Sequence, residues 1–188
     1  MRLNTLGVAH HFLEEHVPKG GFCIDATAGR GRDTAFLCRL VGEEGKVLAF
    51  DIQPQAVQST NELLVREGLS SIGQAVLDSH ANLDAYAPPC SADAVVFNFG
   101  FLPGTDHAVY TQPQSSIAAI NKGLDILRPG GLMSLCIYYG GDTGYEERDA
   151  LLAFLPTLDS KQYTVLQCDF CNRGGEPPIP VLIWKSDV

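Results

Sequence analysis

The sequence predicts an α/β chain built on a doubly wound, mostly parallel sheet of seven strands with an antiparallel edge strand. Three observations lead there. Short apolar runs alternate with stretches of helical period along the whole chain, the pattern of successive β–α units. The first apolar run breaks into a glycine-rich turn, Asp25-Ala-Thr-Ala-Gly29-Arg30-Gly31-Arg32-Asp33-Thr34, which opens a helix. The last two runs are too close for a crossover helix, so they must pair antiparallel at the sheet edge.

The elements follow in order. Residues 4–16 form a first helix, stopped by Pro18-Lys19-Gly20-Gly21. Strand one is 22–26. After the glycine turn a helix runs over 33–41 and ends at Gly42. Strand two is 46–52. Pro54 has a helical φ and no N–H to lose, so it suits the first turn of the next helix, which ends at Gly68. Strand three is 74–77. Residues 81–87 make a short, weak helix closed by Pro88-Pro89. Strand four, 92–97, is a continuous apolar run, as a parallel strand buried on both faces requires. A loop with Gly and Pro, 100–113, leads to a long helix at 114–127. Arg128-Pro129-Gly130-Gly131 reads as a sharp turn into strand five at 132–138. A helix at 145–158 precedes the last strands, 163–169 and 179–184. The architecture is Rossmann-like.

A length of 188 residues suits a full-sized core, so 1–188 is read as one domain. The 45% hydrophobic and 19% charged balance is that of a globular chain. No apolar run reaches membrane-spanning length, and the N-terminus lacks the basic start and apolar core of a secretory signal. The cysteines (Cys23, Cys38, Cys90, Cys136, Cys168 and Cys171) mostly sit in apolar runs and read as buried free thiols. That implies a reducing compartment, and the expected location is cytoplasmic. A formal net charge of −9 counts against broad, sequence-independent binding to nucleic acid. It leaves room for a local basic patch.

Glycine lets a backbone approach a ligand closely, and a helix N-terminus offers free N–H groups. Gly29-x-Gly31 alone therefore fits many nucleotide-binding turns. Asp25, where strand one ends, suits a cationic amino-acid tail better than a pyrophosphate. The cofactor this implies is S-adenosylmethionine, with S-adenosylhomocysteine as product, and the reaction is methyl transfer. Thr34 stands where a dinucleotide fingerprint has its third glycine. Thr27, Gly29, Arg30, Gly31, Arg32 and Asp33 complete the expected cradle. Asp51 ends strand two, 26 residues after Asp25, and can accept both ribose hydroxyls, with Gln53 on the same side. Its competing role is to cap the next helix. Asp78, Ser79 and His80 end strand three, where they can meet the adenine ring or cap the helix that follows.

Asn98 ends strand four, beside strand one, and so faces the transferable methyl. Its carbonyl oxygen can accept a hydrogen bond from an amine and aim the nitrogen lone pair. Phe101 can face the sulfonium. Asp106, His107 or a water can take the proton an amine must lose before it attacks. Tyr139, with Asn172 and Arg173, can wall a substrate pocket; two ordinary surface loops are the alternative. Arg30, Arg32, Lys122 and Arg173 offer local positive charge. Cys168-x-x-Cys171 has no second cysteine pair or nearby His, so no metal is expected. His10 and His11 are expected to divide between a helix face and its solvent side.

Taken together, three stretches resemble one small bacterial family: Asp25-Ala-Thr-Ala-Gly-x-Gly-x-Asp33-Thr34, Phe97-Asn98-x-Gly100-x-Leu102-Pro103-Gly104, and Tyr139-x-Gly-x-x-Gly144-x-x-Glu147. The family was earlier labelled as rRNA methylases and is understood as tRNA 5-aminomethyl-2-thiouridine methyltransferases. The resemblance spans nearly the whole chain, through Asn172…Pro177-Pro178. It implies the class I methyltransferase fold and methyl transfer to the aminomethyl nitrogen of the wobble uridine, position 34, of certain tRNAs. The product is 5-methylaminomethyl-2-thiouridine. The implied partner is the tRNA anticodon loop, with no membrane and no metal; a homodimer is one way to share the tRNA. The family's cofactor contacts map onto Arg30, Arg32, Asp51, Gln53, Ser79 and His80, and Phe101 and Pro103 fall to the substrate. The chain departs from the pattern at Arg30 and Arg32, where small polar residues are usual, and at Gly141-Asp142-Thr143-Gly144-Tyr145, where Gly-His-x-Gly-Gly is usual. Alternatives on the same fold are a small-molecule or rRNA methyltransferase, or a non-catalytic cofactor-binding module.

Overall fold

The structure, a computed structural model, describes residues 4–100, 113–139 and 144–187. Its first half alternates α1 (Thr5–His16), β1 (Phe22–Asp25), α2 (Arg32–Val41), β2 (Lys46–Asp51), α3 (Pro54–Arg66) and β3 (Gly73–Leu77). A 3-10 segment, His80–Ala85, leads to β4 (Ala92–Phe99), then α4 (Pro113–Ile126) and β5 (Leu127–Ile137). The chain closes with α5 (Gly144–Phe154), β6 (Tyr163–Gln167) and β7 (Ile179–Lys185). All seven strands form one sheet in the order β3-β2-β1-β4-β5-β7-β6. Pairing is parallel from β3 to β5, and β7 runs antiparallel to both β5 and β6. The antiparallel strand therefore lies just inside the edge, and β6 closes the sheet.

The apolar strands carry two cores because each face of the sheet is covered. On one face Phe50, Val95, Phe97 and Leu135 pack under Ile120, Leu124 and Leu151 of α4 and α5. On the other, Val47, Ala94, Val96 and Leu132 pack under Leu13, Leu37, Cys38 and Leu64 of α1, α2 and α3. Full burial of each such Leu or Phe is worth roughly 1.5–3 kcal/mol. The strand order reverses at β1, and that opens a crevice beyond the carboxyl ends of β1 and β4.

Four local expectations are corrected. The expected turn 128–131 is an irregularity inside β5: Ala92 pairs with Leu127, and Ala94 pairs with Leu132. Gly130 makes it possible with φ of +73°. β4 runs on to Phe99, which brings Asn98 into the sheet opposite Cys136. The weak helix after β3 is 3-10, with a kink at Asn82. The helix expected at 145–158 stops at Phe154, because Pro156 has no N–H to continue it, and a 3-10 turn, Leu155–Thr157, follows. The thiols also divide differently: Cys23, Cys38 and Cys136 are buried, Cys168 is half-buried, and Cys90 and Cys171 are exposed, all of them free.

Gly31 is the residue on which the α2–α3 contact turns. Its φ is +75°, and a Cβ there would stand 3.0 Å from Cα, Cγ2 and Oγ1 of Thr60. Gly31→Ala is expected to lower stability by about 1–2 kcal/mol, from the left-handed backbone alone, and more if Thr60 cannot shift. Thermal unfolding of the variant beside the wild type checks this.

Candidate active site

The crevice floor is the turn between β1 and α2. Ala26 N–H donates to the Val96 carbonyl (2.8 Å) and Ala28 N–H to the Phe50 carbonyl (2.8 Å), so the turn is tied to both neighbouring strands. Gly31 N–H closes it on the Ala28 carbonyl at 2.8 Å. Gly29 has φ of +53° and Gly31 of +75°, and side chains rarely adopt either. Gly31 is the N-cap of α2 and makes no side-chain capping bond. The N–H groups of the first turn are thus presented to the crevice, where a carboxylate would satisfy them.

Three carboxylates shape this turn. Asp25 has no exposed surface; it accepts from the Thr34 hydroxyl (2.6 Å) and from Thr27 N–H (3.1 Å). Its expected contact with a cationic tail is therefore indirect, and it braces the turn from beneath. Burial pushes its carboxyl up to about 7, the Asp33 charge adds to the rise, and the Thr34 and Thr27 bonds oppose it. Asp51 accepts from Gly29 N–H (2.9 Å) and Gln53 N–H (2.9 Å). It is half-buried, and an ionised carboxylate has further lone pairs for ribose hydroxyls. It is not the helix cap: Gln53 is the N-cap residue of α3. Asp33 spends both oxygens on side chains, His10 at 2.7 Å and Asn98 at 2.8 Å. Its backbone N–H lies in the first turn of α2. Arg30 and Arg32 are exposed on the same turn.

Beyond β3, capping takes two of the three expected residues. Asp78 accepts from Ser79 N–H, Asn82 Nδ2 and the Tyr86 hydroxyl, each at 2.7 Å. Those bonds, led by Tyr86, hold its carboxyl below the usual range. Its oxygens serve its own loop first, which favours the capping role of Asp78 over the expected adenine contact. Ser79 Oγ accepts from Ala81 N–H (3.1 Å) and caps the 3-10 segment. His80 stands edge-on to Phe97, centroids 6.1 Å apart. Burial lowers its pKa, against the Ala26 backbone hydrogen bond, and so favours a neutral ring. Sequence reasoning passed over Ile52 and Leu77, each 54% exposed at the neighbouring ends of β2 and β3. A large apolar residue beside the strand-end acid was the available signal. Each leaves apolar surface at the strand-end edge, of the kind a purine ring packs against.

On the other side of the crevice, Asn98 N–H donates to Thr27 Oγ1 (2.7 Å), so the Thr27 side chain serves the β4 tie. Asn98 Nδ2 donates to Asp33, and Asn98 Oδ1 is buried with no hydrogen-bond partner among the described residues. Tyr139 follows β5, its ring edge against Tyr145 at 6.0 Å, with the Arg148 guanidinium 4.8 Å and 4.9 Å from the two rings. The Tyr145 hydroxyl donates to Glu176, which ties α5 to the β6–β7 connection carrying Asn172 and Arg173. Arg173 lies over Phe170 at 4.1 Å. Tyr139, Asn172 and Arg173 are thus brought to one edge. Lys122 is not a spare charge: it donates to the Ala81 carbonyl and to Asp84. Phe101, Pro103, Asp106 and His107 lie outside the described residues. Among the described residues no group of His, Cys, Asp and Glu is arranged to hold a metal, and no helix is long and apolar enough to cross a membrane.

A glycine turn tied to both neighbouring strands, an uncapped helix start, a strand-end carboxylate and exposed apolar residues at the strand ends suit an S-adenosylmethionine molecule. With this sheet order they define a class I S-adenosylmethionine-dependent methyltransferase. Comparison with known proteins agrees. The family described as "Putative rRNA methylase" matches residues 47–184, and the chain belongs to that family. A crystal structure of the same description, from Clostridium thermocellum, superposes with a TM-score of 0.95 at 42% identity, covering 98% of this chain and 99% of that one. A Streptococcus mutans methyltransferase solved in complex with SAH gives 0.88 at 36% identity, with 98% and 99% covered. A chloroplastic tRNA (mnm(5)s(2)U34)-methyltransferase of Arabidopsis thaliana is 33% identical over 192 residues, spanning 97% of this chain and 69% of that protein.

Two predictions follow from the carboxylates. Asp51→Ala should weaken S-adenosylmethionine binding by about 2 kcal/mol, roughly 30-fold in Kd, by calorimetry; unchanged affinity would remove Asp51 from the ribose. Asp25, raised in the folded state, contributes stability below its unfolded value of 3.8, and that contribution is lost as pH rises through about 7. Asp25→Asn should therefore gain stability relative to wild type between those limits, on the order of 1 kcal/mol per pH unit. Denaturant titrations across that range measure the difference.

Proposed function

We propose that the protein transfers the methyl group of S-adenosylmethionine to the aminomethyl nitrogen of 5-aminomethyl-2-thiouridine at wobble position 34 of tRNA. The product is 5-methylaminomethyl-2-thiouridine. The observation that carries this reading is the likeness, over 97% of the chain, to a relative named for that modification. The cofactor, when bound, supplies an electrophilic methyl on a sulfonium. The α2 N-terminus would hold its carboxylate, Asp51 its ribose, and the apolar surfaces of Ile52 and Leu77 its adenine, with His80 beside the ring.

The Asn98 acceptor supports an amine as the nucleophile. Oδ1 takes one N–H and so orients the nitrogen lone pair along the line of transfer, where alignment supplies most of the rate. An amide cannot take the proton of an ammonium. That proton goes to water, Asp106 or His107, and a partly desolvated pocket favours its release. The nucleobase is held from the Tyr139, Asn172 and Arg173 edge, by stacking more than by phosphate contacts. Exposed Arg30 and Arg32 add positive charge beside the crevice. A homodimer sharing one tRNA belongs to the same proposal.

The test is nucleoside mass spectrometry after incubation with cofactor and tRNA carrying 5-aminomethyl-2-thiouridine, with rRNA in a parallel arm. A gain of one methyl on the wobble nucleoside is expected; its absence, or methylation of rRNA alone, would overturn the reading. Asn98→Ala is expected to lose about 100-fold in kcat while cofactor affinity stays within about twofold. Equal loss of both would make Asn98 a structural residue.

A further inference from the structure

His10 lies on α1, a helix that precedes β1 and lies outside the β–α units forming the cofactor turn. Its ring is flat on Phe36 of α2, with centroids 3.8 Å apart and planes 6° apart. Its Nε2 meets Asp33 Oδ1 at 2.7 Å. The stack fixes the ring plane, and the in-plane hydrogen bond fixes the carboxylate. The second Asp33 oxygen meets Asn98 at 2.8 Å. An ionised carboxylate only accepts, so the Asn98 atom facing it must be Nδ2. Oδ1 is then turned to the other side of the amide, buried and with no hydrogen-bond partner among the described residues. Buried acceptors are rarely left unmade, and such an orphan at the carboxyl edge of a parallel sheet is where a ligand's donor fits.

We infer that His10 is a positioning residue for methyl transfer: through Asp33 it holds the Asn98 amide in the one orientation that offers an acceptor to the nucleophile. The inference rests on the proposed amine methylation. A freely flipping amide would present Nδ2 part of the time, and an N–H nucleophile would then meet a donor instead of an acceptor. The chain His10–Asp33–Asn98 removes that second state, much as outer partners fix the orientation of ligating side chains at metal sites. It also makes the site selective for nucleophiles that donate a hydrogen bond.

The test compares wild type, His10→Ala and His10→Gln as full-length proteins; Gln keeps a side-chain donor for Asp33 and lacks the ring. Methyl transfer to tRNA bearing 5-aminomethyl-2-thiouridine gives kcat and KM, and calorimetry gives affinity for S-adenosylhomocysteine. In protein labelled with 15N-asparagine, the Asn98 side-chain NH2 pair is identified by its loss in Asn98→Ala. His10→Ala is expected to lose about tenfold or more in kcat, with KM and cofactor affinity within about twofold, and to shift the Asn98 pair. His10→Gln should restore most of both. Wild-type kcat in His10→Ala, an unmoved Asn98 pair, or equal losses in the two variants would overturn the inference, the last because it would assign His10 to packing on Phe36. If wild type transfers no methyl to this RNA, the proposed function falls; the Asn98 signal then still decides whether His10 sets the amide.

Discussion

The turn from Asp25 to Thr34 keeps its shape because three carboxylates are spent on it, and everything else at the sheet's carboxyl edge depends on that shape. Asp25 holds it from below through Thr27 and Thr34, and Asp51 reaches across from β2 to Gly29 N–H. Asp33, inside the helix start, ties it to α1 and to β4. Burying an acid beside others is unfavourable, and the carboxyl of Asp25 is raised by burial first and the Asp33 charge second. A ligand bearing a sulfonium and an ammonium relieves the same repulsion. On the proposed function, the arrangement that costs the free protein stability would also favour a cationic cofactor over a pyrophosphate.

Most of the fold was legible in the sequence, because a parallel sheet covered on both faces writes its strands as unbroken apolar runs. Residues 92–97 are one such run, and the structure only lengthens it to Phe99. What was misread depended on partners far along the chain. Arg128-Pro129-Gly130-Gly131 has the composition of a turn, yet β4 pairs on either side of it and keeps it within β5. The site divided in the same way. Backbone positions in the glycine turn follow from local residue types, whereas side-chain roles did not. Asp78 and Ser79 look like ligand residues until Asn82, Tyr86 and Ala81 claim their atoms. The sequence divides His10 and His11 between a helix face and its solvent side without saying which is which; docking of α1 brings His10 within 2.7 Å of Asp33, a residue 23 positions later.

The acidic balance of the chain looks hard to reconcile with an RNA substrate, and the distribution of its cations resolves this. Several are already committed: Arg128 to Asp93, Arg39 to Glu67, and Lys122 to Asp84. They hold the fold and add little to an external field. Near the proposed substrate edge Arg148 pairs with Asp149 and also lies against two tyrosine rings, and Arg173 lies over Phe170. Stacked in this way they present planar, cationic surfaces to a base more than point charges to a phosphate. One unstacked nucleotide can be gripped by such surfaces with few counterions released. An acidic body then has a use. On the proposed function, it would disfavour indiscriminate contact with the polyanion and leave binding to a splayed-out base, singling out one wobble nucleotide from a whole tRNA.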